Sequence, residues 1–360
     1  MPLDAITMTA LADELRTALL GGKIDKIYQP TRDEAVLHMR TGSGNVKLLL
    51  SANPGHPRAQ LTTVTRENPE TPPMFCMLLR KYFLGGRLLE LTQPPMERLL
   101  DFRFETLNEL GDRVERRLVL ECIGRKSNLV MLDGEGRITD CLRRVDADLS
   151  AKRPLMPGLF YQPPEPTGKL NFVSMPAEDR SALVLAQAPE GDGQDRWLLD
   201  TFAGLSPLIA RELAFRAAGD LDTDLSQLPE EEKAALAEKL ADAIDAMRTD
   251  TLPPVLLYKE ERPWDFTCLP IRQYGDFVRA EQLDSFSALL DRFYAARDRS
   301  EAIRQSSQAM RKTLTNLVSR TSRKLENQRR ELTATHDRER LRRLGDILTA
   351  NLYAVKRGQT

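Results

Sequence analysis

Residues 300–343 contain neither proline nor glycine, and along them Ile303, Met310, Leu314, Leu317, Val318, Leu325 and Leu332 recur at intervals of three, four or seven. That pattern predicts one uninterrupted helix of roughly 60 Å, at about 1.5 Å per residue. Its apolar stripe is thin, so the helix needs a partner of the coiled-coil kind. No second helix of matching length follows before Thr360. The chain therefore reads as the N-terminal part of a longer protein whose returning arm lies elsewhere. A helix of this kind builds no core of its own, and the globular part must come from the residues before it.

Charge is segregated in the same way. Residues 295–360 carry 16 Lys and Arg against 7 Asp and Glu, a net of +9, whereas residues 175–262 carry 9 against 19, a net of −10. The whole chain sums to −1, so the remainder is neutral. A basic arm beyond an acidic middle points to a polyanionic partner for the arm. With 41% hydrophobic and 29% charged residues the chain is neither collagen-like nor wholly disordered. Apolar runs such as 48–50 and 255–257 are far too short to span a bilayer, and the N-terminus lacks a signal-peptide pattern. Four scattered cysteines without a CxxC, and three histidines, argue against a disulfide scaffold or a zinc knuckle. The expectation is a cytoplasmic protein with no membrane partner.

The pattern of turns and periodicities divides the chain at 1–168, 169–252, 253–294 and 295–360. In the first part, helices are expected over 11–20 and 74–84, each stopped by a Gly-Gly pair. Short strands are expected over 24–29, 34–39, 46–50, 60–64, 87–91, 98–104, 117–123, 128–132 and 137–144. This is an α+β domain rich in antiparallel strands. The second part is helical. Its informative piece runs from Phe202 through Gly204, Ser206 and Pro207 to Leu213, with a turn glycine, a capping serine and a proline at the first helical position. It fits a helix-hairpin-helix that sets backbone amides against a phosphate, or a plain pair of helices. In the third part strand-like pieces return around Trp264, Phe266 and Phe277, packing on an earlier domain that the sequence leaves open.

Enzyme chemistry finds little footing. There is no GxSxG, no GxxxxGK[ST] and no GxGxxG, and His38, His56 and His336 stand in no triad context. No catalytic residue, metal ligand or cofactor is expected. More informative is the segment Gly124, Arg125, Lys126, Ser127, Asn128 between two apolar strands. Arg125 and Lys126 can meet phosphates, while Ser127 and Asn128 can serve sugar or base edges. The other reading is a charged hairpin loop in which Ser and Asn serve the turn.

That loop, the stretch from Met74 through Arg80, Lys81 and Gly85-Gly86 to Arg87, the Pro157-Gly158 and Pro163-Pro164 passage, and the run from Gly204 to Leu213 together resemble the NFACT (RqcH/NEMF) family, often labelled fibronectin-binding protein A. The resemblance covers essentially the whole chain in order. It implies an NFACT-N domain similar to the N-terminal domain of formamidopyrimidine-DNA glycosylases, a helix-hairpin-helix domain and the first arm of a long coiled coil. Members bind large ribosomal subunits that carry an obstructed peptidyl-tRNA, and recruit alanyl-tRNA for template-free alanine tailing that marks the stalled chain for degradation. The ribosome performs the peptidyl transfer. The family's Asp-Arg pair for tRNA is matched here by Glu97-Arg98, with an acid one methylene longer, and Asp4 matches a further acidic position, its other reading being a residue that opens the first helix. The resemblance thus implies tRNA contacts at Asp4, Glu97, Arg98, Gly124, Arg125, Lys126, Ser127 and Asn128. For the arm, charge and resemblance together imply ribosomal RNA contacts at Arg311, Lys312, Arg320, Arg323, Lys324, Arg329 and Arg330. The family's C-terminal NFACT-R domain is absent from these residues.

Two other function classes stand beside this. A glycosylase could use the secondary amine of Pro2, but Leu3 follows where those enzymes need an acid, and the CxxC pairs of their zinc finger are missing. A fibronectin-binding adhesin would carry an export signal, a wall-sorting tail or a repeat array, and none is present.

Overall fold

Asp4 starts the fold. Its carboxylate accepts the Thr7 N–H at 2.8 Å and so caps helix α1, Ala5–Leu19. The helix begins six residues earlier than the periodicity over 11–20 suggests. Ala5, Ile6 and Met8 are all buried, and they extend the apolar face back to the cap. The computed structural model describes residues 3–146, 148, 152–176, 178–179, 182–184, 193–219, 229–249, 251–354 and 356. The chain divides into two compact units, Met1–Tyr294 and Ala295–Thr360.

The first unit is α+β. After α1 come β1 (Lys23–Thr31), β2 (Glu34–Thr41), β3 (Gly44–Ser51) and β4 (Arg58–Leu61). Then follow α2 (Met74–Phe83), β5 (Arg87–Thr92), β6 (Leu99–Leu107), β7 (Arg113–Glu121), β8 (Asn128–Leu132) and β9 (Ile138–Cys141). All nine strands form one antiparallel sheet in the order β4-β3-β2-β1-β5-β6-β7-β8-β9. Four strands on each side of the β1/β5 junction mirror one another, with β9 added beyond β8, and at the junction the ladder thins to a single pairing of Lys23 with Arg87.

That symmetry is an internal repeat. Leu20-Gly21-Gly22-Lys23-Ile24 returns as Leu84-Gly85-Gly86-Arg87-Leu88, and Gln29-Pro30 returns as Gln93-Pro94 at the same spacing. The hydrogen bonds return with it. Gly21 N–H donates to Leu88 O at 2.9 Å and Gly85 N–H to Ile24 O at 2.8 Å. Ile24 N–H donates to Gly86 O and Leu88 N–H to Gly22 O, both at 2.9 Å. Arg16 of α1 donates to Leu91 O of β5, and Arg80 of α2 donates to Ile27 O of β1. A Cβ on Gly22 would sit 2.8 Å from Leu19 O and 3.0 Å from a Thr41 methyl. One on Gly86 would sit 2.9 Å from Phe83 O and 3.0 Å from a Thr106 methyl. Each helix therefore turns into its strand through a close approach that only glycine permits.

The helical part comprises α3 (Gln194–Thr201), α4 (Pro207–Ala218) and α5 (Glu230–Thr249). Strands β10 (Val255–Lys259), β11 (Arg262–Thr267) and β12 (Arg279–Gln282) form a second sheet, ordered β11-β10-β12. Leu256, Tyr258 and Phe266 share one apolar cluster with Leu11 and Leu15 of α1, with Phe202 and Ile209 of the helical part, and with Phe293. The segment whose packing partner the sequence leaves open thus lies against both earlier parts.

Helix α6, Phe286–Ala350, starts nine residues before the part expected as the arm, 295–360. Its first turns are built into the first unit. Glu14 accepts the N–H groups of Phe286 and Ser287 at 2.6 and 3.0 Å. Asp291 accepts from Gln60, Thr62 and the Thr63 backbone. These bonds explain why β4 ends at Leu61 and not at Val64 as the strand pattern suggests. Arg58, fully buried, lies 4.1 Å from the centroid of the Tyr294 ring.

Described by itself, the second unit is helix as far as Ala350, with Ile303, Met310, Leu314, Leu317, Val318, Leu325 and Leu332 all exposed. At 3.6 residues per turn these seven fall within about 100° of the helix circumference. Arg311, Lys312, Arg320, Arg323, Lys324, Arg329 and Arg330, also exposed, spread over the remaining side and do not line up in a single row. No helix among the described residues is long and apolar enough to cross a membrane.

Candidate nucleic-acid interface

Two helix N-termini converge on one cleft. Asp4 caps α1, and Ser206 caps α4 by accepting the Ile209 N–H at 3.4 Å, with Pro207 at the first helical position. Gly204, at φ +83°, joins the two by accepting the Ala5 N–H at 3.1 Å through its carbonyl. A Cβ there would meet the Met96 sulfur at 2.9 Å and the Ala5 Cβ at 3.0 Å. The turn that bears Met96, Glu97 and Arg98 is held by Gln93, which donates to Ala5 O at 3.0 Å and to Glu97 O at 2.8 Å.

The resulting cleft has a volume of about 250 Å³, and its polar lining includes Asp4, Glu97, Arg98, Lys169 and Ser206. Burial pushes the Asp4 carboxyl above the usual carboxylate range, against the opposing pull of its bonds to Ser206 and Thr7 and of the Arg98 charge. Burial raises Glu97 too, again opposed by Arg98. Arg98 is therefore a cation flanked by two carboxyls that part with their protons reluctantly. The α4 N-terminus adds partial positive charge on another wall. The lining as a whole carries three carboxyls, Asp4, Glu97 and Glu165, against two cations, Arg98 and Lys169.

The structure brings Asp4, Glu97 and Arg98 together, although they are far apart in sequence. The Gly124–Lys126 loop is tied to the same region, because Cys122 N–H donates to Arg98 O at 2.8 Å and Ile123 lines the cleft. Gly124, at φ +52°, opens a single 3-10 turn that leaves Arg125 and Lys126 exposed. Ser127 and Asn128 do not join them. Both are buried, which corrects the expectation that their side chains meet sugar or base edges. Asn128 accepts from the backbone N–H groups of Leu129 and Arg143 and donates to Arg143 O at 2.7 Å, so its amide is spent on holding the loop. Asn128 thus serves the turn, whereas the buried Ser127 Oγ has no hydrogen-bond partner among the described residues.

Sequence reasoning missed Lys169 and Arg143. Lys169 is a single cation after a proline-rich passage, with no periodic signal, and it reaches the cleft while donating to Leu199 O. Arg143 donates to Ser127 O at 2.5 Å and Ala52 O at 2.7 Å, and pairs with Asp33 at 2.6 Å. It clamps the loop after β7 to the loop after β3. Nothing in its local sequence distinguishes it from Arg144.

All four cysteines are free and buried, and burial pushes the Cys122 and Cys141 thiols up to about 12, far from a reactive thiolate. No group of described His, Cys, Asp and Glu side chains could hold a metal ion. Pro2, the candidate amine of the glycosylase reading, lies outside the described residues, and Leu3 beside it is buried in the core.

The family model of the NFACT N-terminal and middle domains matches residues 4–360. A protein named Rqc2 homolog RqcH from Bacillus subtilis (strain 168) is 29% identical over 374 residues, covering 99% of this chain and 60% of its own length. One of the same name from Streptococcus pneumoniae (strain ATCC BAA-255 / R6) is 29% identical over 360 residues, covering 100% and 60%. The chain thus spans 60% of the length of these relatives. Among solved structures, the N-terminal part of the fibronectin/fibrinogen-binding protein from Streptococcus suis is similar at TM-score 0.69 and 28% identity, over 82% of this chain and 99% of that one. The fibrinogen-binding protein from Staphylococcus aureus follows at TM-score 0.65 and 28% identity, over 81% and 98%.

Proposed function

The chain belongs to the NFACT family, and from that premise we propose that it is the N-terminal and middle part of a ribosome-associated quality-control factor. In this reading the protein binds large ribosomal subunits that hold an obstructed peptidyl-tRNA, in the cytoplasm, and recruits alanyl-tRNA for template-free alanine tailing. The observation that carries it is the match along residues 4–360 to a family whose relatives bear the name Rqc2 homolog RqcH. The geometry supports a division of labour. The Asp4, Glu97, Arg98 cleft and the exposed Arg125 and Lys126 take tRNA phosphates, while the cations of α6 take ribosomal RNA. The four sequence divisions, 1–168, 169–252, 253–294 and 295–360, serve here as an NFACT-N domain, a helix-hairpin-helix domain, a connecting sheet and a coiled-coil arm.

Sucrose-gradient sedimentation of the full-length protein, with sequencing of the tRNAs that travel with it, tests this. Co-sedimentation with large subunits and enrichment of alanine tRNA are expected. Arg98→Ala should abolish tailing with folding intact, and reversing Arg320, Arg323, Lys324 and Arg330 to glutamate should release the protein from large subunits at moderate salt. Normal sedimentation of the reversed variant overturns the role of the arm. A second reading, binding of fibronectin or fibrinogen, is favoured only by the names of the structural neighbours. Recovery of the protein at the cell surface and its absence from ribosome fractions would favour it.

A further inference from the structure

The repeat in the first unit gives each half of the sheet an outward face whose positions can be matched one to one. On β5–β7 that face is neutralised within itself. Arg103 pairs with Glu90 at 2.9 Å and Glu115 at 3.4 Å, and Arg117 pairs with Asp101. In the strand pairings Lys26 stands opposite His38 as Glu90 stands opposite Arg103, and His38 opposite Lys47 as Arg103 opposite Arg117. By the same register Val36 replaces Asp101 and Asn45 replaces Glu115. The acids Glu90, Asp101, Glu105 and Glu115 of the neutral face thus give way to Lys26, Val36, Arg40 and Asn45, while Arg103 and Arg117 give way to His38 and Lys47.

The face of β1–β3 is therefore left with two lysines, Lys26 and Lys47, that no described carboxylate neutralises. Among the described residues neither Lys26 nor Lys47 has a carboxylate partner, and Arg40 has Asp25 only at 3.9 Å. The face also carries rings. Tyr28 and His38 lie with centroids 5.1 Å apart, and the Arg80 guanidinium sits 5.7 Å from the centre of the Tyr28 ring. Two recesses of about 190 Å³ each flank the pair and share His38 and Lys47 as lining. Burial and the charges of Lys47 and Lys26 hold the His38 imidazole below its ordinary pKa, so at neutral pH it is an uncharged ring between cations.

We infer that the outward face of β1–β3 is a nucleic-acid contact site, separate from the Glu97-Arg98 cleft, that takes a single-stranded RNA segment with phosphates on Lys26 and Lys47 and a base against Tyr28 and His38. Aromatic rings interleaved with uncompensated cations are how proteins hold unpaired strands, because every base has a face to stack and every linkage a charge to neutralise. An acidic protein would answer the cations but leave the rings without purpose. The inference does not rest on the quality-control reading, since it needs only the contrast between two faces of one sheet.

The test uses the whole 360-residue chain and an eight-nucleotide single-stranded RNA carrying 4-thiouridine and a fluorescent label. After irradiation and tryptic digestion, crosslinks are expected in the peptides of residues 27–32 and 33–40, which contain Tyr28 and His38. The double variant Lys26→Glu, Lys47→Glu should weaken binding about tenfold or more and flatten the salt dependence, by roughly 0.7 in log–log slope for each phosphate no longer neutralised. Arg103→Glu on the matching neutral face should leave binding within about twofold. Should the double reversal disturb folding, as read by circular dichroism, the crosslinks on the unaltered chain and the milder Lys26→Ser, Lys47→Ser variant decide instead. Absence of crosslinks from both peptides overturns the inference. So does complete displacement of the RNA by polyglutamate at equal charge concentration, which would make the face a dock for acidic protein.

Discussion

The two halves of the nine-stranded sheet are built alike and finished differently. Each half has a helix, a Leu-Gly-Gly turn, and a first strand whose register shifts at the same place, between Ile24 and Lys26 in β1 and between Leu88 and Glu90 in β5. Inward positions correspond as well: Leu48 and Leu50 match Leu118 and Leu120, and all four are fully buried. Outward positions diverge, ion ladder on one side and rings with bare cations on the other. Inward residues must fill a close-packed shared core, and a change of even one methylene there is felt. Outward residues bear little on stability, because exposed ion pairs contribute about 0–1 kcal/mol. Those positions are free to follow a partner, and their divergence is what the proposed RNA contact rests on.

The largest expected effect comes from severing the halves. Arg143 bonds Ala52 O and Asp33 of the first half and Ser127 O of the second. Arg143→Ala leaves the buried Asp33 without this cation and should cost about 3–5 kcal/mol in urea unfolding. A loss below about 1 kcal/mol would show that the halves cohere without the clamp. Next come the paired turns. Gly22→Ala and Gly86→Ala each force a methyl into a backbone carbonyl, and each should cost about 1–3 kcal/mol. The informative quantity is their difference. Values that agree within about 0.5 kcal/mol mean the repeat is energetic as well as geometric, and a large disparity breaks the equivalence.

The smallest effect sharpens the contrast between the faces. Lys47→Ser should change stability by no more than about 0.5 kcal/mol, because it removes no partnered charge. It should nonetheless raise the His38 pKa toward its ordinary 6.5, measurable by NMR titration, with burial retaining part of the depression. The sign for stability follows. A histidine whose folded pKa is depressed resists protonation in the native state, so its contribution is lost as pH falls below the unfolded value. The variant should therefore lose less stability between pH 7 and pH 5 than the unaltered chain. No movement of the His38 resonance would mean that the two side chains do not share a field.

Much of this molecule was legible in its sequence. The strand ends at 34, 87, 128 and 132 and the start of α2 at 74 were given by local alternation and by proline and glycine punctuation. The clustering of Glu97, Arg98 and Asp4 came from the family resemblance, and the cleft brings those residues together. What escaped was whatever depends on a distant partner. The start of α6 at Phe286 rests on Glu14, the end of β4 rests on Asp291, and the burial of Asn128 rests on Arg143. The repeat was present in the letters, as two Leu-Gly-Gly turns with a Gln-Pro nine residues on. Read as separate helix stops, they showed no symmetry, which appears only when their hydrogen bonds are seen to cross.

Sequence alone determined the element types, the α+β class, the family and the long basic helix, because each rests on short-range steric preference, on periodicity or on motifs carried in order along the chain. Tertiary structure decided which polar residues are available to a ligand. Lys126 and Asn128 are two positions apart and equally polar on paper. One is exposed on a 3-10 turn, and the other is enclosed by backbone groups of Leu129 and Arg143. The difference is physical: a buried amide must satisfy its hydrogen bonds within the protein, and once it has done so it has none left to offer.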